Sequence, residues 1–229
     1  MIFVTGDTHI PIDIHKLNTG NFPQQRELSK ADYVIICGDF GGVWSFPDSK
    51  YYKEDKYWLD WLTTRNFTTL FVDGNHENFT VLNSYPIVDG WGGKVGKITD
   101  TVYHLMRGEV YDIDGLKFFC FGGATSADKY RRKEGLSWWP EEIASKEEME
   151  YGISNLEKHN NTVDYIITHC CSTEIQKAYL PYSNQDAMTQ YFNFIEHNVN
   201  FKHWYFGHYH LDRRFDDKHT CMYNFVEKL

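Results

Sequence analysis

Eight side chains that could bind metal ions follow five predicted strands in this chain of 229 residues. They comprise two carboxylates, one amide and five imidazoles: Asp7, His9, Asp39, Asn75, His76, His169, His208 and His210. This mixture of oxygen and nitrogen donors suits Mn²⁺, Fe, Zn²⁺ or Ni²⁺. Because eight donors are too many for one ion, the inventory predicts two. Two divalent cations with two carboxylates leave a formal charge of about +2, which would attract a phosphate and favours phosphoryl chemistry.

The elements that must position these groups are short, nearly continuous apolar or aromatic runs. These runs cover residues 2–5, 33–37, 69–72, 165–168 and 203–206. Such runs are typical of strands that are covered on both faces. In a sheet flanked by helices, the carboxyl ends of the strands form the crevice in which ligands bind. The eight groups are therefore predicted to converge, although they are spread along most of the chain.

Further patterns complete the predicted elements. Strand-like runs cover residues 101–105, 109–113, 116–121 and 221–226, and residues 101–121 resemble an antiparallel ribbon with a hairpin turn at Asp114-Gly115. Helices are predicted over residues 50–65, from the capping box of Ser145 and Glu148 to about residue 159, and over 188–197 after Ser183 and Asp186. The glycine-rich residues 90–96 match no phosphate-binding fingerprint and are predicted to form a flexible loop.

Net charge, apolar runs and cysteine count exclude several classes of protein. Acidic residues number 32 against 23 Lys plus Arg, and this net charge of −9 disfavours binding to duplex nucleic acid or to an anionic membrane. No apolar run could span a bilayer, and the start lacks the pattern of a secretory signal, so a cytoplasmic location is expected. The odd count of five cysteines, without C-x-x-C spacing, predicts reduced packing thiols.

The absence of internal repeats, low-complexity tracts and linkers in the sequence predicts a single domain over residues 1–229. The sequence does not indicate an oligomeric state.

The ordered motifs resemble the calcineurin-like metallophosphoesterase superfamily, in particular its small bacterial-type phosphoesterases and phosphodiesterases. The motifs that carry the resemblance are Asp7-x-His9, Gly38-Asp39, Gly74-Asn75-His76-Glu77, His169, and Gly207-His208 with His210. They occur in the family order from residue 6 to residue 210. The resemblance implies an α/β fold, a four-layer αββα sandwich in which two mixed sheets pack face to face between helices. It also implies a dinuclear metal site at one edge.

The resemblance further assigns roles, position by position. Asp7, His9 and His210 would hold one metal, Asn75, His169 and His208 the other, and Asp39 would bridge both. A metal-bridging hydroxide would attack phosphorus in line. His76 would contact the phosphate and assist the leaving oxygen, while Glu77 would support the ligands from outside the metal shell.

One position departs from the family pattern. The family often has a further aspartate three residues after the bridging one, and this acid steadies the catalytic histidine. Here that position is Gly42, so the residue that orients His76 is not identified. The departure argues against close kinship with the eukaryotic Ser/Thr phosphoprotein phosphatases.

Two segments could contact the substrate. Residues 129–133 are the one dense basic run, and they form either a solvated surface or a rim on which Arg131 or Arg132 holds a phosphate oxygen. The aromatic residues between positions 44 and 61 have the spacing of a helix packed on a sheet, but Trp44 lies close enough to the Asp39 motif to contact a ligand.

These features favour a phosphodiester or nucleotide-type small molecule as substrate. The alternatives are a phosphomonoester or a phosphoprotein, and a protein that binds metal and a phosphorylated ligand without turnover.

Overall fold

A computed structural model describes residues 1–180 and 185–229. Within them, one sheet contains seven strands: β1 (Ile2–Thr5), β2 (Tyr33–Ile36), β3 (Thr68–Phe71), β4 (Ile87–Gly90), β5 (Gly93–Lys97), β6 (Val102–Leu105) and β13 (Val226–Lys228). Their spatial order is β13-β1-β2-β3-β6-β5-β4. Strands β1, β2, β3 and β6 run parallel, whereas β13, β5 and β4 pair antiparallel with their neighbours. The sheet is therefore mixed.

The second sheet contains six strands within the same residues: β7 (Glu109–Ile113), β8 (Leu116–Phe121), β9 (Tyr165–Thr168), β10 (His203–Phe206), β11 (Arg213–Arg214) and β12 (His219–Cys221). Their order is β11-β12-β10-β9-β8-β7. The four central strands run parallel and the edge strands antiparallel, so this sheet is mixed as well.

Helices cover the outer face of each sheet. They are α1 (Tyr52–Thr63), α2 (Phe79–Leu82), α3 (Lys146–Lys158), α4 (Thr173–Tyr179) and α5 (Ala187–Asn198), with short 3₁₀ turns at Ile14–Leu17, Pro23–Glu27, Lys129–Arg131 and Pro140–Glu142. Helices α1 and α2 share a core with the first sheet, and α3, α4 and α5 share one with the second.

A third core lies between the two sheets, and strand alternation explains how all three cores form. On β2, Val34 and Ile36 face the helices, while Ile35 and the following Cys37 face the other sheet. The predicted four-layer αββα sandwich is thus confirmed.

Most predicted elements are found close to their predicted positions. Strands β1, β7, β8, β9 and β10 have the predicted bounds, and α1 lies inside the predicted residues 50–65. The capping box of α3 is present, since the Ser145 hydroxyl accepts from Glu148 N at 3.1 Å and Ser145 N donates to the Glu148 carboxylate at 2.7 Å. Helix α5 is capped by Asp186, and Ser183 lies outside the described residues.

The prediction of a flexible loop at residues 90–96 is wrong. Strands β4 and β5 form a hairpin there, and Trp91 and Gly92 adopt positive φ angles of 51° and 85° in its turn. The Trp91 ring packs edge-on against Tyr33 and Tyr103, with centroids at 5.7 and 5.2 Å. Tertiary packing therefore gives regular structure to a glycine-rich sequence.

Two further predictions need correction. The ribbon over residues 101–121 is wrong in part, because β6 joins the first sheet and only β7 and β8 form the Asp114-Gly115 hairpin. The strand over residues 221–226 is two strands in different sheets. The Asp212 carboxylate accepts from the backbone N–H groups of residues 223, 224 and 225 and so holds the chain in a turn between them.

None of the described helices combines the length and the apolar character needed to cross a bilayer. All five cysteines are buried and carry free thiols, as predicted.

Candidate metal centre

The carboxyl ends of β1, β2, β3, β9 and β10 meet at one edge of the sandwich, with Asp39 near the centre. The Asp39 side chain is buried, and one of its oxygens lies 3.1 Å from His9 Nε2. Its other oxygen lies 3.3 Å from His169 Nε2 and accepts from His76 N at 2.7 Å. One carboxylate therefore contacts groups that follow three other strands.

A second buried carboxylate, Asp7, lies beside it. Its oxygens accept from His208 N at 3.0 and 3.1 Å, and His210 Nε2 lies 3.2 Å from Asp7 Oδ2. The amide oxygen of Asn75 lies 3.1 Å from His169 Nε2. The other six residues singled out in the sequence thus gather around these two aspartates.

Metal-capable atoms form three overlapping groups at this edge, each with its atoms within 4.8 Å of one another. The groups are Asp7, His9 and His210; His9, Asp39 and His76; and Asp7, Asp39 and His169. The first is the trio that the resemblance gives to one metal. Among the described residues His208 belongs to none of these groups, although its ring centroid lies 5.0 Å from that of His169.

Backbone strain is concentrated at the same edge. His9, Asp39, His208 and His210 have positive φ angles of 33°, 44°, 67° and 51°. A non-glycine residue in this region costs about 1–3 kcal/mol and persists only where its surroundings enforce it. Four of the eight residues have such angles. The surrounding structure therefore holds these side chains toward one another although their backbone conformations are unfavourable.

Two glycines of the motifs are required by close approach. A Cβ atom on Gly74 would overlap the Asp39 carboxylate, and one on Gly207 would overlap the Asp7 carboxylate. Neither glycine has a positive φ. Their function is therefore to let neighbouring loops approach the two aspartates, rather than to allow an unusual turn.

The two carboxylates create a strongly negative potential. Burial lowers the pKa of His9, but Asp39, Asp7 and Asp13 outweigh it and raise that pKa to about 9. Burial likewise opposes a charge on His169, yet Asp39 and Asp7 raise its pKa to about 10. The pKa of Asp39 is held well below its usual value, because His169, His9 and His76 outweigh the effect of burial. A potential that retains protons on the imidazoles of His9 and His169 would also hold divalent cations, so the donor set fits the implied metals.

A side chain and a backbone carbonyl orient two of the candidate ligands, and the sequence analysis did not identify either. His9 Nδ1 lies 2.8 Å from Asp13 Oδ2, and His169 Nδ1 donates to the Cys37 carbonyl at 2.8 Å. Each ring therefore presents Nε2 to Asp39, as expected of metal-binding histidines whose other nitrogen is fixed. The only sequence signal for Asp13 is its position four residues after His9.

A buried chain of hydrogen bonds orients Asn75. Its Nδ2 donates to the Ser126 hydroxyl at 3.1 Å, and that hydroxyl donates to the Glu142 carboxylate at 2.6 Å. Both partners come from the connection between β8 and α3, more than fifty residues away in sequence. No local pattern predicts this contact.

The C-terminal segment supports the other side of the centre. The ring of Tyr223 stacks on His210 with centroids 4.6 Å apart. Buried Lys16 donates from Nζ to the Asp7 carbonyl at 2.5 Å and also to the Tyr223 carbonyl. Burial lowers the pKa of Lys16 to about 8, against the pull of Asp7 and Asp13.

Glu77 lies behind the centre and contacts none of the candidate metal ligands through its carboxylate. Its oxygens accept from Phe40 N at 2.7 Å and from Gly41 N at 3.3 Å, which fixes the loop after Asp39. Burial, together with the charge of Asp39, raises the pKa of Glu77 to about 8.

An arginine lies beside His76, for which the sequence did not identify an orienting residue. Arg132 Nη1 lies 3.0 Å from His76 Nδ1, and Asp128 holds Arg132 Nε at 2.8 Å. No carboxylate contacts the His76 ring within the described part of the chain, and a Cβ on Gly42 would lie within 3 Å of Phe40 and Ile10. Burial lowers the pKa of His76, and Arg132 lowers it further against the opposing charge of Asp39.

The two arginines proposed for the rim are placed differently. Arg132 reaches His76, whereas the guanidinium of Arg131 lies over the Tyr130 ring at 5.3 Å. Trp44 lines a cavity of about 630 Å³ that opens beside His9 and His76.

Together, the fold and the site define an αββα sandwich with buried carboxylates and imidazoles gathered where two metal ions could bind. The model of the calcineurin-like phosphoesterase family matches residues 1–212, and the chain belongs to that family. Membership implies metal-dependent hydrolysis of phosphoesters. No match was found among curated proteins or among solved structures.

Proposed function

We propose that this chain hydrolyses a phosphoester with two bound divalent cations, Mn²⁺ being the first expectation and Fe, Zn²⁺ or Ni²⁺ the alternatives. The observation that carries the proposal is the position of Asp39, whose two oxygens face His9 and His169 from different strands. Asp7, His9 and His210 would hold one cation, and Asn75, His169 and His208 the other, with Asp39 between them. The bound cations would supply an activated water and positive charge for the phosphate.

His76 and Arg132 would act on the phosphate itself. Arg132 is fixed by Asp128 and directs its guanidinium toward the centre, where it can donate to a non-bridging oxygen. A guanidinium can only donate, and Arg132 lies 3.0 Å from His76 Nδ1 through Nη1 and 3.4 Å from His76 Nε2 through Nη2. The shorter contact favours a neutral His76 that accepts at Nδ1 and carries its proton on Nε2. We propose that this N–H stabilises the leaving oxygen.

A phosphodiester or nucleotide-type small molecule is the proposed substrate. Without a carboxylate partner, neutral His76 is a weaker proton donor than a histidine paired with an acid, and the aromatic and basic surroundings suit an organic group on the phosphate. A phosphomonoester or phosphoprotein substrate is the second candidate. The location in the cytoplasm and the single domain over residues 1–229 remain predictions.

The test uses metal-stripped protein with Mn²⁺, Fe²⁺, Ni²⁺ or Zn²⁺ added back, on p-nitrophenyl phosphate and bis-p-nitrophenyl phosphate. We expect each active metal to restore turnover, with faster hydrolysis of the diester. Faster hydrolysis of the monoester would select the second candidate. Binding of metal without turnover of either ester, or of a panel of nucleotides, would support a binding protein without catalysis.

A further inference from the structure

A cavity of about 630 Å³ adjoins the candidate metal centre. The proposed binding of two metal ions does not require this cavity. Its walls include the apolar side chains Ile10, Trp44, Phe46, Trp58 and Leu136. Trp44, Phe46 and Leu136 are more than one-third exposed, which is unusual for large apolar side chains clustered around one opening. The volume lies within the range of small-molecule sites.

Polar contacts on both sides fix the backbone of Trp44 in the aromatic wall. Asp55 on α1 accepts from Trp44 N at 2.8 Å and from Ser45 N at 2.5 Å. On the other side, Asn78 Nδ2 donates to the Trp44 carbonyl at 2.8 Å. The Trp44 ring also packs edge-on against Trp139 at 5.6 Å. A wall held in this way is ordered before a ligand arrives, which reduces the cost of binding.

The cavity lies on the side of the site where the leaving group of the phosphoester would be. Of the eight residues of the candidate metal centre, only His9 and His76 line it. His76 is the residue proposed to face the leaving oxygen. A group that extends from that oxygen would therefore enter the cavity.

The charge of the cavity restricts what can enter. Glu54 and Asp55 contribute to its lining, and the described lining contains no lysine or arginine. A second phosphate would be repelled there, whereas a neutral ring with N–H donors would not. These properties fit a nucleobase and its ribose.

We infer that this cavity binds a nucleoside as the leaving group of the phosphoester, with the base against Trp44. That the nucleoside is the leaving group rests on the proposed function. That the cavity binds a nucleoside rests on the shape and charge of the cavity itself. Stacking of a base on an aromatic side chain changes affinity by roughly five-fold to more than a hundred-fold.

The experiment compares esters that differ only in the base. Hydrolysis of adenosine 5′-phosphate is measured against ribose 5-phosphate, and the methyl diester of each is measured in the same way. Whichever pair is cleaved faster, the monoesters or the methyl diesters, we expect kcat/KM of its adenosine ester to be at least ten-fold higher than that of its ribose ester. Trp44→Ala should reduce this ratio at least five-fold, and Trp44→Phe should restore most of it. The matched control is Tyr57→Ala, an exposed aromatic on α1 that does not line the cavity, and it should leave the ratio unchanged.

Calorimetric titration with adenosine and with guanosine tests the cavity without turnover. Saturable binding that Trp44→Ala weakens supports the inference even if neither ester is hydrolysed, in which case the proposed function fails alone. Hydrolysis with equal kcat/KM for both esters, or no nucleoside binding, overturns the inference and leaves the proposed function intact. An equal loss for both esters in Trp44→Ala also overturns it.

Discussion

Asp39 and Asp73 follow neighbouring parallel strands and are equally buried, at 1% exposure each, yet they have opposite surroundings. Asp73 receives two hydrogen bonds from Arg107, at 2.9 and 2.6 Å, and lies 3.0 Å from His104. Asp39 faces imidazoles and one backbone N–H, and a second carboxylate, Asp7, lies close by. Of the two, only Asp73 has a permanently charged partner.

This contrast separates a structural charge from a functional one. A buried carboxylate that stays ionised needs a compensating positive charge or several hydrogen-bond donors. At Asp73 a guanidinium of the same chain provides it, so the network is complete. At Asp39 and Asp7 the nearest partners are titratable groups: the two carboxylates raise the pKa of His9 and His169, and Lys16 lies on the Asp7 carbonyl. Divalent cations could replace the protons that the two imidazoles bind. The comparison therefore favours Asp39, and not Asp73, as the centre of the proposed metal site.

The largest effect is expected from Asp39→Asn. Loss of the carboxylate between the two candidate metal positions should lower kcat/KM at least a thousand-fold and weaken both metals, so the gain in Tm on adding Mn²⁺ should shrink. Kinetics and metal analysis of the purified variant measure both. Unchanged hydrolysis in a fully folded Asp39→Asn protein would show that the mechanism is wrong.

Asp73→Asn should act on stability instead. Removing one partner of a buried ion pair costs about 3–5 kcal/mol, which corresponds to a fall in Tm of roughly 6–20 °C for a chain of this size. Metal content should be retained at temperatures where the variant is folded. Thermal unfolding followed by circular dichroism checks the first expectation, and loss of metal from the folded variant would break the contrast with Asp39.

His76→Ala should lower kcat by roughly a hundred-fold while metal binding persists, because His76 is proposed to act on the leaving oxygen. Metal content and kcat measured on the same preparation test this. The variant Arg132→Gln tests the proposed phosphate contact of that residue, and its loss should lower kcat/KM by about ten-fold. Loss of metal from His76→Ala would reassign that residue to the ligands.

A smaller effect is expected from pH. His9 and His169 have pKa values raised from 6.5 to about 9 and about 10 in the metal-free protein. Their contribution to stability is therefore fully present below pH 6.5 and is lost as the pH rises through 9 to 10. The pKa of Asp73 is lowered below 3.8, so its contribution is present above that pH and is lost on acidification.

Thermal unfolding from pH 6.5 to about 9.5 should thus show a falling Tm for metal-free protein and a flatter profile for Mn²⁺-loaded protein. Parallel profiles would show that His9 and His169 do not exchange protons for metal.

The sequence predicted the residues at the centre better than the residues that support them. Continuous apolar strands that end in polar groups are a local pattern, and the topology of parallel strands then gathers those groups. Asp13, Lys16, Ser126 and Glu142 act through contacts set by loop packing, which no spacing reveals. Arg132 was one of two adjacent candidates, and only the structure shows that Asp128 directs it to His76.

The same distinction applies to the fold. Of the five strands with continuous apolar runs, β1, β9 and β10 were predicted to the residue and β2 and β3 to within one residue, because burial on both faces leaves a clear pattern. The β4–β5 hairpin was missed because glycine-rich strands are regular only through their neighbours. The break between residues 221 and 226 depends on the distant Asp212 carboxylate. Local composition cannot report such contacts.

The most direct test of the metal centre is calorimetric titration of Mn²⁺ into metal-free protein at pH 7, in two buffers that differ in ionisation enthalpy. Because His9 and His169 hold protons in the metal-free state, we expect two Mn²⁺ per chain and release of about two protons on binding. Absence of saturable binding, or binding in Asp39→Asn that equals the wild type in stoichiometry and proton release, would contradict the account.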